Sequence, residues 1–289
     1  MLRRTLLTLP LAATVAKALS PGFRLSVRVE ALFPGMTLAE RVQKVAEAGY
    51  DGFEFGDWRS ADPAEITKLK NRLGLECVCI VGNRSVNPKG MGLCDPAERG
   101  GFLDEIKASV NAARRYECKR LVVLTGNKIE GMPREQQRAS VIEGLKRGVD
   151  IAQAGGVQLI LEMLNTLAKV EPLNPAENHN GYFLNSTREA FEIVRAVGSP
   201  HLRVLFDLYH VQIMEGNLIE TLRNNIGLIG HFHVGDVPGR HEPGTGEINY
   251  QSVFRAIRST GFKDYVAMEY VPVQDAVRTL KQVKALAAS

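Results

Sequence analysis

From residue 24 to the C-terminus, short apolar runs alternate with longer stretches whose apolar positions recur at three- and four-residue intervals. The short runs, 24–29, 52–55, 75–81, 120–125, 157–162, 202–207, 228–233 and 265–269, predict eight buried strands. The longer stretches, 37–48, 63–73, 96–116, 134–154, 187–197, 211–225, 250–259 and 274–287, predict a helix after each strand. Pro63 suits a first helical turn, Gly49 and Gly74 suit helix ends, and Gly155-Gly156 closes the longest helix. Alternation of this kind implies a parallel sheet with right-handed crossovers, and eight units favour closure over an open sheet. No G-x-G-x-x-G follows the first strand and no P-loop occurs, which weakens nucleotide-binding alternatives. No composition break divides the chain after its N-terminus. The expected fold class is therefore α/β, a single-domain (β/α)8 TIM barrel over 19–289.

Four of the apolar runs end on a metal-ligating side chain. They are Gln158-Leu-Ile-Leu-Glu162, Leu202-Arg-Val-Leu-Phe-Asp207, Leu228-Ile-Gly-His-Phe-His233 and Tyr265-Val-Ala-Met-Glu269. A closed barrel brings the carboxyl ends of consecutive strands to one mouth, so Glu162, Asp207, His233 and Glu269 should converge there. Three carboxylates and an imidazole form a hard donor set suited to one Mn²⁺, Mg²⁺ or Co²⁺ ion. Three long loops leave the same mouth. Residues 82–95 carry Asn83, Arg84, Asn87 and Lys89; residues 165–186 carry Asn165, His179 and Asn180; residues 235–249 carry Asp236, Arg240, His241, Glu242 and Glu247. Loops of this length in such a place often cover or clamp a substrate.

Charge changes the picture at one end only. Residues 1–18 contain Arg3-Arg4, a short apolar segment and Ala16-Lys17-Ala18, the layout of a twin-arginine export signal. Cleavage after Ala18 would remove Arg3, Arg4 and Lys17 with no acid, taking the formal charge from +4 to +1. The basic balance thus gives no case for nucleic acid as partner. No apolar run approaches the roughly 20 residues that span a bilayer, so no membrane partner is expected once the signal is gone. The expected location is periplasmic, and otherwise cytoplasmic. Cys77, Cys79, Cys94 and Cys118 form no CxxC pair and are expected as small buried apolar side chains.

The runs Asp207-Leu-Tyr-His210, Ile229-Gly-His231-Phe-His233-Val-Gly-Asp236 and Glu242-Pro-Gly-Thr-Gly-Glu-Ile-Asn-Tyr250 resemble the hydroxypyruvate isomerase family. Glu162-Met-Leu-Asn165 and Met268-Glu269-Tyr270 fit the same pattern. That family belongs to the xylose-isomerase-like barrels, with the ketose 3-epimerases. The resemblance is strong after residue 157 and loose before it. It implies metal ligands at Glu162, Asp207, His233 and Glu269, and proton transfer by Glu162 and Glu269 through a cis-enediolate. The bacterial hydroxypyruvate isomerases have Gln where this chain has His233, whereas the epimerases have His. The resemblance also implies a substrate contact at His210, which could instead be a partner of a metal ligand.

The remaining candidates are read from position. Arg240, seven residues past His233, is placed to clamp a substrate oxygen or carboxylate, or is a solvated loop arginine. Lys128, just past the fourth strand, would meet an anionic substrate or is a plain surface lysine. His231 should face the barrel interior beside His233, as a structural residue or a partner of a ligand. Glu247 is expected to order its loop, and His179, His201 and His241 to be exposed. The leading expectation is a metal-dependent isomerase acting on a small sugar or hydroxy-keto acid. A ketose 3-epimerase is the alternative, and an inosose-dehydratase-like lyase is weaker. The multi-zinc site of an apurinic endonuclease is not supported by the six histidines present. A catalytically silent sugar-binding protein is opposed by the filled ligand positions. Exposed helix faces leave homo-oligomerisation open.

Overall fold

The computed structural model describes residues 21–84, 92–167 and 179–289. The export reading, and Asn87 and Lys89 of the third-strand loop, therefore lie outside the described residues. Eight parallel strands close into a barrel in sequence order: β1 (Arg24–Arg28), β2 (Gly52–Phe55), β3 (Glu76–Val81), β4 (Arg120–Val123), β5 (Gln158–Glu162), β6 (Leu202–Asp207), β7 (Ile229–Val234) and β8 (Tyr265–Met268). β8 pairs with β1, as Ser26 faces Ala267, so the sheet has no free edge. The outer helices are α1 (Val29–Leu32), α2 (Leu38–Ala48), α3 (Pro63–Leu73), α4 (Arg99–Tyr116), α5 (Arg134–Ala154), α6 (Thr187–Val197), α7 (Leu208–Met214), α8 (Leu218–Asn225), α9 (Tyr250–Ser259) and α10 (Ala276–Ala288).

Local sequence explains these limits. Thr37 and Glu40 form a reciprocal capping box at the start of α2, and Gly49 ends it in the left-handed conformation. Asp62 caps α3 ahead of Pro63. The core lies between sheet and helices, where Phe232 packs edge-on against Phe206 and Phe262. Deleting one such ring costs about 3–5 kcal/mol. All four cysteines are buried and free, as their spacing implied.

Three features depart from the expected elements. The short α1 follows β1 directly. The single helix expected over 211–225 is two helices. α7 starts at Leu208 because Asp207 Oδ1 accepts from the Tyr209 and His210 N–H groups, and it stops at Glu215 before Gly216 and Asn217, both at positive φ. His210 consequently sits on the first turn above the barrel rather than in a connecting loop. Finally, β7 carries one extra residue against β6. Val204 pairs with Ile229 but Leu205 pairs with His231, which leaves Gly230 unpaired and sets His233 opposite Asp207.

Candidate active site

β5, β6, β7 and the residue after β8 bring Glu162, Asp207, His233 and Glu269 together at the carboxyl ends of the strands. One ligand atom of each lies within 4.8 Å of all the others. Each takes its place for a local reason. Glu162 ends β5, and its carbonyl accepts from the Tyr182 hydroxyl at 3.2 Å. Asp207 divides its oxygens: Oδ1 caps α7, while Oδ2 faces the mouth. Glu269 is held past β8 by its N–H, which donates to Val234 O at 2.9 Å.

The cluster is anionic and well screened from water. Arg240 Nη2 lies 2.6 Å from both Asp207 Oδ2 and Glu269 Oε2, and its guanidinium also rests over the Tyr209 ring. Burial pushes the Asp207 carboxyl up to about 7, against the pull of Arg240. Burial also opposes ionisation of Glu269, but His233, Arg240 and Arg28 outweigh it and hold that carboxyl well below its usual range. Burial disfavours the His233 imidazolium, yet Glu269, Glu162 and Glu54 raise its pKa well above the ordinary value. His233 Nδ1 is buried, 2.7 Å from Glu269 Oε2 and 3.7 Å from Glu162 Oε1, but no contact has hydrogen-bond geometry. An unsatisfied nitrogen beside Glu162 and Glu269, with Asp207 in the same cluster, is what a cation site offers, so the residues fit a single hard divalent ion.

Of the expected substrate residues, the structure brings two to the cluster and leaves one outside. Arg240 is buried and touches two of the carboxylates. His210 is buried, with Nδ1 accepting from the Asn165 backbone N–H at 3.2 Å and from its side-chain amide at 2.8 Å. Its Nε2 therefore carries the proton, 3.5 Å from Asp207 Oδ2. Burial, with Arg240 and His179 nearby, keeps this imidazole neutral by lowering its pKa well below the ordinary value. Lys128 is exposed on the loop after β4, where its backbone N–H donates to Gly181 O at 2.7 Å. Its ammonium does not join the cluster.

Several expectations need correction. His179, His201 and His241 are half-buried rather than exposed. The His179 ring lies 5.7 Å from that of His210, His201 Nδ1 is 3.3 Å from Val157 O, and His241 Nδ1 is 2.7 Å from Val271 O. Glu247 is exposed, and its carboxylate accepts from Gln212 at 3.1 Å. Asp236 orders that loop instead. Its buried carboxylate accepts from the N–H groups of Val237, Gly244, Gly246 and Ile248 at 2.9–3.0 Å. The tight wrap requires glycine at 246, where a Cβ would lie 2.1 Å from Val237 O.

Two residues on the early strands were missed. Arg28 on β1 approaches Glu269 Oε1 at 3.6 Å. Glu54 on β2 lies inside the barrel, with Oε2 3.1 Å from His233 Nε2 and Oε1 2.8 Å from His231 Nε2. Burial would neutralise Glu54, but His231 and His233 hold its pKa far below the usual range. The sequence did carry a signal: a charged residue inside the otherwise apolar Gly52-Phe-Glu-Phe55 is costly unless partnered.

A sequence profile for the xylose isomerase-like TIM barrel matches residues 42–286. The hydroxypyruvate isomerase of Escherichia coli is 29% identical over 252 residues, spanning 86% of this chain and 93% of that enzyme. The 2-oxo-tetronate isomerase of Cupriavidus necator is 32% identical over 237 residues, spanning 80% and 87%. Among solved structures, an AP endonuclease family 2 protein from Brucella melitensis matches with a TM-score of 0.76 at 26% identity, covering 90% of this chain and 97% of that one. An L-ribulose 3-epimerase matches with a TM-score of 0.74, covering 91% and 92%; at 19% identity this likeness shows the fold alone. The closed eight-strand barrel and a profile match over most of its length agree: the chain belongs to the xylose isomerase-like TIM-barrel family.

Proposed function

We propose that the protein is a divalent-metal-dependent isomerase of hydroxypyruvate-isomerase type, interconverting aldehyde and keto forms of a small hydroxycarbonyl compound. The observation that carries this reading is the convergence of Glu162 and Glu269, from the fifth strand and just past the eighth, on one cluster with Asp207 and His233. Relatives named for hydroxypyruvate and 2-oxo-tetronate support a substrate of the hydroxy-keto acid class.

A Mn²⁺, Mg²⁺ or Co²⁺ ion held by these four residues would act as a Lewis acid, lowering the cost of negative charge on substrate oxygens. The chain's own groups do the rest. One of the two glutamates takes the carbon-bound proton, the C–H electron pair moves into the enediolate, a proton returns to the neighbouring carbon, and the hydroxyl proton passes to the former carbonyl oxygen. Glu269 is suited to acceptance because its neighbours keep it ionised. The neutral His210 offers an Nε2–H to a substrate oxygen. Arg240 can turn its guanidinium from the carboxylates to a substrate oxygen or carboxylate.

One observation favours a second reading. His233 occupies a position where bacterial hydroxypyruvate isomerases resemble this chain less than the ketose 3-epimerases do. An epimerase would return the proton to the same carbon from the opposite face, and a free sugar is the natural substrate if the protein is exported. Export rests on Arg3, Arg4 and the Ala-Lys-Ala ending; a reporter fused to residues 1–30 that stays cytoplasmic would remove that part of the proposal.

The deciding experiment is an NMR screen of hydroxypyruvate, small aldoses and small ketoses in D₂O with Mn²⁺-treated protein, quenched before acquisition. Deuterium gained with aldehyde–ketone interconversion is the expected result. Deuterium at C3 of a ketose with inversion there would identify the epimerase. No exchange with any of these compounds would overturn both readings.

A further inference from the structure

Glu54 belongs to a strand that supplies no ligand to the cluster, yet it is almost fully buried inside the barrel. Its known contacts are donors. Ser26 Oγ donates to Oε1 at 2.6 Å, His231 Nε2 lies 2.8 Å from the same oxygen, and His233 Nε2 lies 3.1 Å from Oε2. A carboxylate accepts and does not donate, so a hydrogen bond from His233 requires the proton on Nε2. A neutral imidazole protonated at Nε2 has its lone pair on Nδ1. That is the nitrogen facing Glu162 and Glu269, without a hydrogen bond of its own. The ring is thus gripped on one edge and offered to the cluster on the other. Ser26 donates to the second oxygen of Glu54 and fixes the carboxylate's rotation, while the His231 ring lies beside that oxygen without hydrogen-bond geometry.

We propose that Glu54 is the positioning residue for His233, accepting its Nε2 proton so that Nδ1 points at the site formed with Glu162, Asp207 and Glu269. Ser26 holds Glu54 in turn. This inference rests on the metal reading given under Proposed function. Carboxylate partners of metal-bound histidines set the tautomer and ring orientation in this way, and their loss typically weakens metal binding by about 10–100-fold.

The test uses the full chain and Mn²⁺ alone, with free Mn²⁺ followed by electron paramagnetic resonance. Wild type is expected to bind one equivalent. Glu54→Gln should bind about 10–100-fold more weakly, since it removes the charge that holds the Nε2 proton and leaves one acceptor atom where Ser26 and His233 use two. Glu54→Asp, which keeps the charge, should recover part of the loss. A readout that packing alone would not move is the imidazole ¹⁵N spectrum of the Mg²⁺-loaded wild type, where His233 should carry hydrogen on Nε2 and none on Nδ1. Hydrogen on Nδ1 overturns the inference without any variant. Equal Mn²⁺ affinity in wild type and Glu54→Gln overturns it while leaving the metal reading intact. A second equivalent of Mn²⁺, lost in Glu54→Gln, also overturns it, because Glu54 would then be a ligand. Failure of wild type to bind any divalent ion overturns the metal reading and this inference together.

Discussion

The two halves of the barrel divide the labour. From β5 onward, each strand delivers one group that can touch an ion or a substrate: Glu162, Asp207, His233 and Glu269. The first four strands deliver none of these, although β1 and β2 send Ser26, Arg28 and Glu54 towards them from the side and from beneath. The difference teaches that a symmetric scaffold need not be used symmetrically. The four groups cluster on one arc, and side chains of the opposite arc approach them.

The sharpest way to break this division is to remove one charged group from each side. Glu162→Gln or Glu269→Gln should lower turnover by about 10³-fold or more, because each removes a proton-transfer group. Arg28→Gln, whose residue only approaches Glu269, should cost no more than about tenfold in kcat/KM. Steady-state kinetics on the substrate found by the D₂O screen would compare them, and equal losses would end the distinction.

A smaller effect is expected from the loop that mounts Arg240. Asp236→Ala strips four backbone N–H groups of their acceptor. It should destabilise the protein by about 3 kcal/mol and reduce turnover by about tenfold as Arg240 loses its mount. Thermal unfolding that matches wild type would show that the loop is ordered by something else.

Smaller still, per pH unit, is the proton linkage of the second half. Ionised Asp207 and neutral His233 are the forms that bind a cation, so loading must release protons wherever the metal-free protein holds them. Both groups have folded pKa values above their ordinary ones, and Asp207 lies at about 7. Their contribution to metal-free stability is therefore largest in acid. Asp207 loses its share as pH rises from about 4 to about 7, and His233 loses its share above about 6.5. Mn²⁺ affinity should accordingly climb between pH 6 and 8, by up to about tenfold per unit for each proton released. Calorimetric titrations showing flat or falling affinity over that range would contradict these assignments. The smallest effect is assigned to Lys128, exposed beyond β4: Lys128→Ala should alter KM by less than about twofold. A rise of tenfold would return it to the substrate site.

Legibility in the sequence followed the same division. Eight strands, their order and the clustering of Glu162, Asp207, His233 and Glu269 were readable because each of the four closes an apolar run, and strand ends in this fold share a mouth. Glu54 was not, although it interrupts such a run, because its partners lie on β7 and only closure of the barrel brings β2 across to them. Asp236 was passed over for Glu247. The motif shows which residues are present, whereas the backbone path decides which carboxylate four N–H groups surround. The split between α7 and α8 was hidden for a similar reason: helical spacing runs through Glu215, and the interruption comes from positive φ at Gly216 and Asn217.

Gly230 carries a consequence that outweighs its size. If β6 and β7 paired without the extra residue, Phe232 would stand opposite Asp207, and both imidazoles would turn into the hydrocarbon layer beneath the helices. Residue count between Ile229 and His233 is thus under tighter restraint than residue identity. Over evolutionary time, insertions and deletions should accumulate around this strand and spare its interior.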